Sequence, residues 1–443
     1  MGIAIQHIRG SACGGGSVWA VETVCPVEKV WAVKKDGMSK WNGLSKRAQG
    51  LVLIWAVQSI FCLALLPLLL TAQTRTVTDE EVRRVHNSTL LIDSHNDVTS
   101  RTVDGFDFGE RSRDGQTDLP RMRQGGIGAQ FFAVYVAADY VKDNHSARRT
   151  LEMIDTVRHD IVERYPKDFA LALTADDIEA IHKRGKIAAL MGIEGGHAIE
   201  DSLRLLRDYY ALGVRYMTLT HTNTNNWADS SGDIDDPKVP HHNGLTDFGK
   251  DVVREMNRLG MMVDISHVSD KTFWDALAVS RAPIIASHSS AKSISNIFRN
   301  MTDDMIVALG KKGGVVQVNC ICEFLSQKSY DASKALFAQV ATLSGPEFQK
   351  RLLEIQASTP KATLDDLADH IDHIVKIAGI DAVGIGTDFA DWYCMPKGLE
   401  DVSQFPNLTR KLLERGYSAG DIGKIYGGNL LRVMRAVERA SAQ

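Results

Sequence analysis

From about residue 76 the chain alternates short apolar runs with amphipathic segments, and this alternation constrains the fold more than any other feature. The runs are nearly continuous in apolar residues, which is typical of parallel strands that are buried on both faces. Eight strand–helix repeats predict an α/β fold, a TIM-like (β/α)8 barrel. The eight runs are residues 90–95, 129–136, 187–194, 214–221, 261–267, 283–288, 314–319 and 382–388.

Size and composition allow one large domain. The chain has 443 residues, and barrels of this class routinely exceed about 250 residues as a single domain. A hydrophobic content of 44% and a charged content of 24% are ordinary for a globular protein, so we expect a large core. The net charge is −4 and the sequence has no basic stripe, so nucleic acid is not an expected partner.

An uncharged apolar run at residues 51–72 follows Lys46 and Arg47. A basic segment followed by such a run is typical of a secretory signal, and cleavage is expected after Ala72. The run is also long enough to span a bilayer as a retained anchor. The sequence therefore predicts an exported protein, periplasmic or extracellular, that touches a membrane only if this segment is kept.

Met38 begins a segment that is a natural basic leader for the apolar run. We therefore expect residues 1–37 to be a non-native or disordered N-terminal extension. Residues 38–75 are predicted to be the signal peptide or membrane anchor, and residues 76–443 the barrel domain.

Ionisable residues close six of the eight predicted strands. In a barrel these strand ends converge on one face, where the active sites of this fold lie. A single histidine at a strand end is more often a turn residue, and a single aspartate is more often a helix N-cap. Six such ends in one barrel indicate a site. The residues are His95, Asp97, Glu194, His221, His267, His288 and Asp388.

Imidazole and carboxylate groups together are typical ligands of borderline divalent ions, zinc above all. Three histidines and two carboxylates exceed the needs of one tetrahedral ion, but they suit two ions that share a bridging carboxylate. In His95-Asn96-Asp97, residues two apart leave the strand on the same side. A water between two ions about 3.5–4 Å apart can ionise near neutral pH. The pattern predicts a hydrolytic centre that needs no serine or cysteine nucleophile.

Seven blocks of sequence, in order, carry the pattern of a known family. They are IDSHND (92–97), TDLPRMRQGGIGAQFF (117–132), GIEGGH (192–197), MTLTHTNTNNWADS (217–230), NRLGMMVDISHVS (257–269), APIIASHSSAKSISNIFRN (282–300) and GIGTDF (384–389). With them, roughly residues 78–437 resemble the membrane dipeptidase (renal dipeptidase) family, zinc peptidases of the metal-dependent amidohydrolase-like barrels.

The resemblance implies two Zn²⁺ ions per chain and assigns them ligands. His95 and Asp97 would bind the first ion, and His267 and His288 would bind the second. Glu194 would bridge the two ions and hold the water between them.

The resemblance also implies how a dipeptide would bind and react. His221 would steady the oxyanion or the scissile carbonyl, and Arg299 would hold the terminal carboxylate of the substrate. Asp388 would move protons and contact the free amine. The implied catalytic residues are thus Asp388, His221 and Glu194.

By resemblance the substrates are dipeptides, with tolerance for a D-residue on the C-terminal side, and the chain could form a homodimer. One alternative is another binuclear hydrolase that acts on lactones or cyclic amides. Arg299 favours a substrate with a free carboxylate. The other alternative is a non-enzymatic binding protein, which would be expected to have lost ligands, whereas none is missing.

Two stretches near the expected mouth of the site depart from the family pattern. Ala390-Asp391 stands where the family often has Asp-Gly, and residues 320–323 replace a commonly aromatic stretch. Cys320, Cys322 and Cys394 are an odd number of cysteines, so free thiols are expected. A bridge from Cys394 to Cys320 or to Cys322 is the alternative.

Overall fold

The computed structural model describes residues 76–340, 351, 354, 358–390 and 394–442. The predicted extension (1–37) and the predicted signal or anchor (38–75) lie outside these residues. Within the described part of the chain, no helix is both long enough and apolar enough to cross a bilayer.

In the described residues a parallel sheet of nine strands forms the centre of the fold, and eight of the strands follow one another in the order β1-β2-β4-β5-β6-β7-β8-β9. The short strand β3 pairs with the first residues of β4, before the residues of β4 that pair with β5. The strands are β1 (Leu91–Asn96), β2 (Ile127–Tyr135), β3 (Phe169–Leu171), β4 (Ile187–Glu194), β5 (Val214–Thr218), β6 (Met262–Asp264), β7 (Ile285–Ala286), β8 (Val315–Val318) and β9 (Val383–Ile385).

The sheet curls until its last strand approaches its first. Just after β9, the backbone N–H of Asp388 donates to the carbonyl of His95, and Phe389 pairs with Asn96 in a parallel bridge. The predicted TIM-like barrel of eight parallel strands is therefore confirmed. Strands β5 to β9 are shorter than the apolar runs that predicted them, because those runs also include residues that leave the sheet. Among the strands of the described residues, β3 alone was not predicted.

Helices follow the strands and cover the barrel. The α-helices are α1 (Asp79–Asn87), α2 (Thr99–Thr102), α3 (Leu119–Gln124), α4 (Ser146–Asp155), α5 (Ala175–Lys183), α6 (Leu203–Leu212), α7 (Asp247–Leu259), α8 (Asp270–Val279), α9 (Asp303–Lys311), α10 (Cys322–Leu325), α11 (Gln327–Val340), α12 (Leu364–Ala378), α13 (Phe405–Glu414), α14 (Ala419–Gly423) and α15 (Asn429–Ser441). Shorter 3₁₀ or π segments are Ala138–Asn144, Thr156–Glu163, Gly196–Ile199, Ile380–Ala382, Lys424–Gly428 and Val402–Gln404.

Side-chain caps fix where many of these helices begin. Thr78 precedes α1 and accepts a hydrogen bond from the Glu81 amide, and Thr363 forms a full capping box with Asp366 at α12. Such caps satisfy N–H groups that the first turn leaves without partners. The helices then pack apolar faces on the strands, as when Leu430 and Met434 of α15 join one buried cluster with Tyr216 of β5.

The cysteines differ from expectation. Cys322 and Cys394 form a disulfide, whereas Cys320 is a free and buried thiol. The prediction of free thiols was wrong for Cys322 and Cys394, which form one of the two alternative bridges, and it is confirmed for Cys320. Strands β8 and β9 are neighbours, so the residues that follow them meet, and the two Cα atoms are 5.4 Å apart.

Candidate metal centre

Seven ionisable side chains converge at the carboxyl ends of the strands. His95 lies in β1, Asp97 follows that strand directly, and Glu194 ends β4. The other four follow strands β5, β6, β7 and β9, within three residues of the strand end; they are His221, His267, His288 and Asp388. The structure thus brings together every ionisable strand-end residue that the sequence selected, in three overlapping groups able to hold a metal ion.

Glu194 lies at the centre of this cluster. Its Oε1 is 2.9 Å from Nε2 of His267, 3.3 Å from Nε2 of His288 and 3.7 Å from Nε2 of His221. Its other oxygen, Oε2, is 3.6 Å from Nε2 of His95. The two oxygens of one carboxylate therefore face two different sets of histidines, which is the arrangement that a bridging ligand requires.

His95 also lies close to two other carboxylates, those of Asp97 and Asp388. Its Nε2 is 3.5 Å from Oδ2 of Asp97 and 3.8 Å from Oδ1 of Asp388. His267 and Asp388 have left-handed backbone conformations, with φ of 69° and 62°. Residues other than glycine seldom adopt this conformation, and when they do it is often at functional sites. Here it turns the chain after the strand so that both side chains join the cluster.

The electrostatics of the cluster favour bound cations. Burial opposes the charge of Glu194, yet the surrounding histidines, His95 and His221 foremost, bring its pKa well below the usual value. Burial, with the positive charge of Arg299, lowers the pKa of His267, and burial also lowers the pKa of His288, which favours the neutral form of both imidazoles. Neutral imidazoles and an ionised carboxylate are the protonation states that metal binding needs.

His95 provides a direct test of whether the residues fit a metal. Its Nε2 is buried and has no hydrogen-bond partner within the described residues. Burial disfavours the charged imidazole, but Tyr216, Glu194 and Asp97 outweigh burial and raise the pKa of His95 well above its usual value. The pocket thus attracts positive charge at an orphaned ligand atom, and its donor set fits divalent ions.

Residues behind the cluster orient the ligands. Nδ1 of His95 donates to the hydroxyl of Tyr216 at 2.8 Å, and that hydroxyl donates to the carbonyl of Ser94 at 3.0 Å. Tyr216 can cross the barrel because residue 192 is glycine: a Cβ there would lie 1.9 Å from Cζ of the tyrosine ring. The proton on Nδ1 leaves Nε2 of His95 to face the cluster.

His288 has a similar support. Its Nδ1 is 2.8 Å from the hydroxyl of Ser287, which donates to Asp264 at 2.5 Å. Asp264 also accepts from the hydroxyl of Thr218. This buried network ties the ends of β5, β6 and β7 to one metal-ligand candidate.

Arg299 lies beside the cluster and is 5% exposed. Its guanidinium donates to the carbonyl of His288 at 3.1 Å and to the hydroxyl of Ser289 at 3.3 Å, and it lies 5.4 Å from the ring centroid of Phe324. Cys320 and Cys322 belong to none of the possible metal-binding groups among the described residues.

Three polar residues of the site were not selected from the sequence: Tyr216, Tyr135 and Asn319. The ring of Tyr135 packs 4.9 Å from that of His221, and the Asn319 amide donates to Asp388 at 2.7 Å. Tyr135 ends β2, and Asn319 directly follows β8, so the strand-end rule that found the ionisable residues also applies to these two. Tyr216 lies inside an apolar run and gives no such signal.

The barrel and its cluster define a class of protein: a metal-dependent hydrolase that gathers imidazoles and carboxylates at the carboxyl ends of parallel strands. A family model described as membrane dipeptidase (peptidase family M19) matches residues 79–443. The chain belongs to this family and is a metallo-dipeptidase.

Individual relatives agree with this assignment. An uncharacterized dipeptidase of Schizosaccharomyces pombe is 37% identical over 390 residues, 84% of this chain and 86% of the relative. The crystal structure of a probable dipeptidase from Pseudomonas aeruginosa, PvdM, is 28% identical with a TM-score of 0.73, covering 82% of this chain and 98% of that one. A metallo peptidase from Rhodobacter sphaeroides, liganded with a phosphinate mimic of the dipeptide L-Ala-D-Ala, is 25% identical with a TM-score of 0.64, covering 79% and 99%.

Proposed function

We propose that this metallo-dipeptidase uses two zinc ions to hydrolyse dipeptides, including those with a D-residue on the C-terminal side. The observation that carries the proposal is the position of Glu194, with one oxygen toward His267 and His288 and the other toward His95. In the proposal His95 and Asp97 hold one ion, His267 and His288 hold the other, and Glu194 bridges them. The bound ions would supply an ionised water and polarise the scissile carbonyl.

The residues around the ions bind and orient the substrate. The Thr222 hydroxyl lies 3.1 Å from Nδ1 of His221; in this proposal it donates to Nδ1, and the proton of the neutral imidazole is on Nε2, directed toward the site. Burial lowers the pKa of His221, so a neutral N–H can donate to the developing oxyanion. The ring of Tyr135 supports this imidazole from one side.

Arg299 and Asp388 bind the charged ends of the dipeptide in this proposal. The planar guanidinium of Arg299 suits a carboxylate because it can donate two parallel hydrogen bonds. Asp388 faces the opposite group, the free amine, and passes a proton to the leaving nitrogen. These two charges favour a substrate that has both termini free, which a lactone or a cyclic amide lacks.

The proposed tolerance for D-residues is supported by the Rhodobacter sphaeroides relative, whose ligand mimics L-Ala-D-Ala. Export of the protein, with residues 38–75 as signal or anchor, is also part of the proposal. The disulfide between Cys322 and Cys394 supports it, because disulfides persist in oxidising compartments. A homodimer stays a prediction.

The test is hydrolysis of a panel of L,L and L,D dipeptides by the chelated and zinc-reloaded protein, with metal counted on the same sample. We expect about two zinc ions per chain and zinc-dependent cleavage. Arg299→Lys keeps the charge but loses the planar fork, so we expect KM for dipeptides to rise about tenfold or more. If the protein binds two ions and cleaves lactones or cyclic amides but no dipeptide, the substrate proposal is refuted.

A further inference from the structure

Asn319 follows β8 on the face of the barrel that holds the metal-site candidates, and it is fully buried. Its Nδ2 donates to Oδ2 of Asp388 at 2.7 Å, and its Oδ1 accepts from the backbone N–H of Ile321 at 2.7 Å. The second bond fixes which way round the amide lies, since only the oxygen can accept from a backbone N–H. Asn319 therefore presents a donor, and not an acceptor, to Asp388.

The backbone of Asp388 is held in place on both sides. Its N–H donates to the carbonyl of His95 at 3.1 Å, and the carbonyl of Phe389 accepts from Asp97 at 2.9 Å. Only rotation of the Asp388 side chain is left. With Oδ2 bound by Asn319, a single oxygen, Oδ1, faces the cluster, 3.8 Å from Nε2 of His95.

This restraint matters because Asp388 belongs to one of the groups able to hold a metal ion, together with His95 and Asp97. A carboxylate with two oxygens available beside a divalent cation tends to bind it, and an aspartate that binds the cation is lost for the substrate. One neutral amide donor on Oδ2 leaves a single oxygen facing the cluster, without adding charge to the site.

We propose that Asn319 is a positioning residue that keeps Asp388 turned toward the substrate and prevents it from offering both oxygens to the metal. The proposal rests on the proposed function, since it presupposes that Asp388 acts on the substrate. In this proposal Asn319 affects hydrolysis only through Asp388.

The test uses two variants of Asn319 and one matched control. Asn319→Asp keeps the acceptor for Ile321 and nearly the same shape but replaces the donor, and Asn319→Ala removes the whole amide. The control is Asn429→Ala, which removes another buried amide with two hydrogen bonds, to the carbonyls of Ile380 and Val383 beside the start of β9. We expect both Asn319 variants to lower kcat by roughly 10- to 100-fold at unchanged zinc content, and the control to keep the wild-type kcat.

A double-mutant cycle with Asp388→Ala separates positioning from a general structural role. We expect Asn319→Ala to cause no further loss in the Asp388→Ala background. An additive loss would overturn the proposal, and so would a wild-type kcat for the Asn319 variants when Asp388→Ala is impaired. Wild-type activity of Asp388→Ala would overturn both this proposal and the assigned role of Asp388.

The visible absorption of the Co²⁺-loaded protein gives a readout that does not depend on hydrolysis, because it reports the coordination of the ion. We expect the spectrum to change in Asn319→Ala and the change to vanish when Asp388 is also replaced. A spectrum identical to wild type in Asn319→Ala would overturn the proposal. If the zinc-loaded wild type cleaves no dipeptide, the proposed function fails by itself, and the spectrum still decides whether Asn319 orients Asp388.

Discussion

The hydroxyl of Tyr216 shows how a residue in an apolar strand can serve a polar site. It accepts from Nδ1 of His95 and donates to the carbonyl of Ser94, so each proton in the chain has a defined place. Because the proton on Nδ1 is held in this way, Nε2 is the atom of His95 that can lose its proton and offer a lone pair to a metal ion. Partners of this kind fix the tautomer and the orientation of metal-binding imidazoles.

Replacement of Tyr216 by phenylalanine should weaken metal binding and leave the fold intact. The ring still fills the space above Gly192, but Nδ1 of His95 loses its acceptor, and we expect zinc affinity to fall about 10- to 100-fold. Zinc affinity is measured by competition with a coloured chelator. Tyr426→Phe is the matched control, since Tyr426 is equally buried and its hydroxyl bonds to Thr409. Equal zinc affinity of Tyr216→Phe and wild type would contradict the role assigned to Tyr216.

At the residue scale, the ionisable members of the site were predictable and their supports were not. Glu194 and His267 end apolar runs, and a charge in that position is readily recognised. Tyr216 sits among apolar neighbours, and its importance depends on the absence of a side chain at Gly192, on a neighbouring strand. Such a pair is a relation in space, so neither residue signals it alone.

Among the elements, the strands were the best predicted, because continuous apolar runs mark parallel strands buried on both faces. β3 was missed because its three residues, Phe169–Leu171, are too few to form a pattern. The disulfide could not be assigned from the sequence, because the choice among Cys320, Cys322 and Cys394 depends on how the loops after β8 and β9 meet.

The disulfide joins the start of α10 to the segment after β9, and α10 carries Phe324, which packs on Arg299. It closes a loop of 72 residues. For a loop of this length we expect its removal to lower the free energy of unfolding by about 2–4 kcal/mol.

The measurement is denaturant unfolding of wild type and of the Cys322→Ala/Cys394→Ala double variant, each with and without reductant. Reductant should destabilise the wild type and leave the double variant unchanged. Cys320→Ala, which keeps the disulfide, should remain sensitive to reductant. A wild type that is indifferent to reductant while its thiols titrate as reduced would show that the bridge does not stabilise the fold.

His370 of α12 links two other elements. Its Nδ1 accepts from the N–H of Ala291, and its Nε2 donates to the carbonyl of Leu325 at the end of α10. The bond at Nδ1 requires a neutral ring, because a protonated Nδ1 cannot accept. Burial lowers the pKa of His370 to about 4, against a usual value of 6.5.

The sign of the resulting pH dependence follows from proton counting. Between pH 6.5 and 4 the unfolded chain binds a proton at His370 that the folded protein does not, so the stability contribution is full above pH 6.5 and is lost as the pH falls. We expect His370→Gln to reduce the loss of unfolding free energy between pH 7 and pH 5 by about 2 kcal/mol. Chemical denaturation of the wild type and of His370→Gln at pH 7 and pH 5, in the presence of chelator, measures this difference. The same pH dependence in both would refute the prediction.

At the scale of the whole molecule, the barrel is closed directly beneath the site. Asp93 of β1 accepts hydrogen bonds from the N–H and the hydroxyl of Thr387, at 2.8 Å and 2.7 Å, across a sequence separation of 294 residues. Asp388 directly follows Thr387, and His95 lies two residues after Asp93. The closure therefore holds His95 and Asp388 at a fixed spacing. The apolar clusters that pack strands and helices lie around the metal-site candidates and do not depend on them.

The fold should therefore persist without metal, while metal adds to its stability. Chelation should abolish hydrolysis and preserve the far-ultraviolet circular dichroism, because the packed core remains. Zinc binds the cluster that only the folded chain assembles, so zinc at 100 times its Kd should stabilise the protein by about 2.7 kcal/mol. Glu194→Gln removes the bridging charge, and its melting temperature should respond far less to zinc.

Thermal melts of both proteins with chelator and with added zinc decide this. Unfolding on chelation would mean that the metal centre is part of the folding core, and an equal rise in melting temperature for both proteins would mean that Glu194 does not bridge the ions.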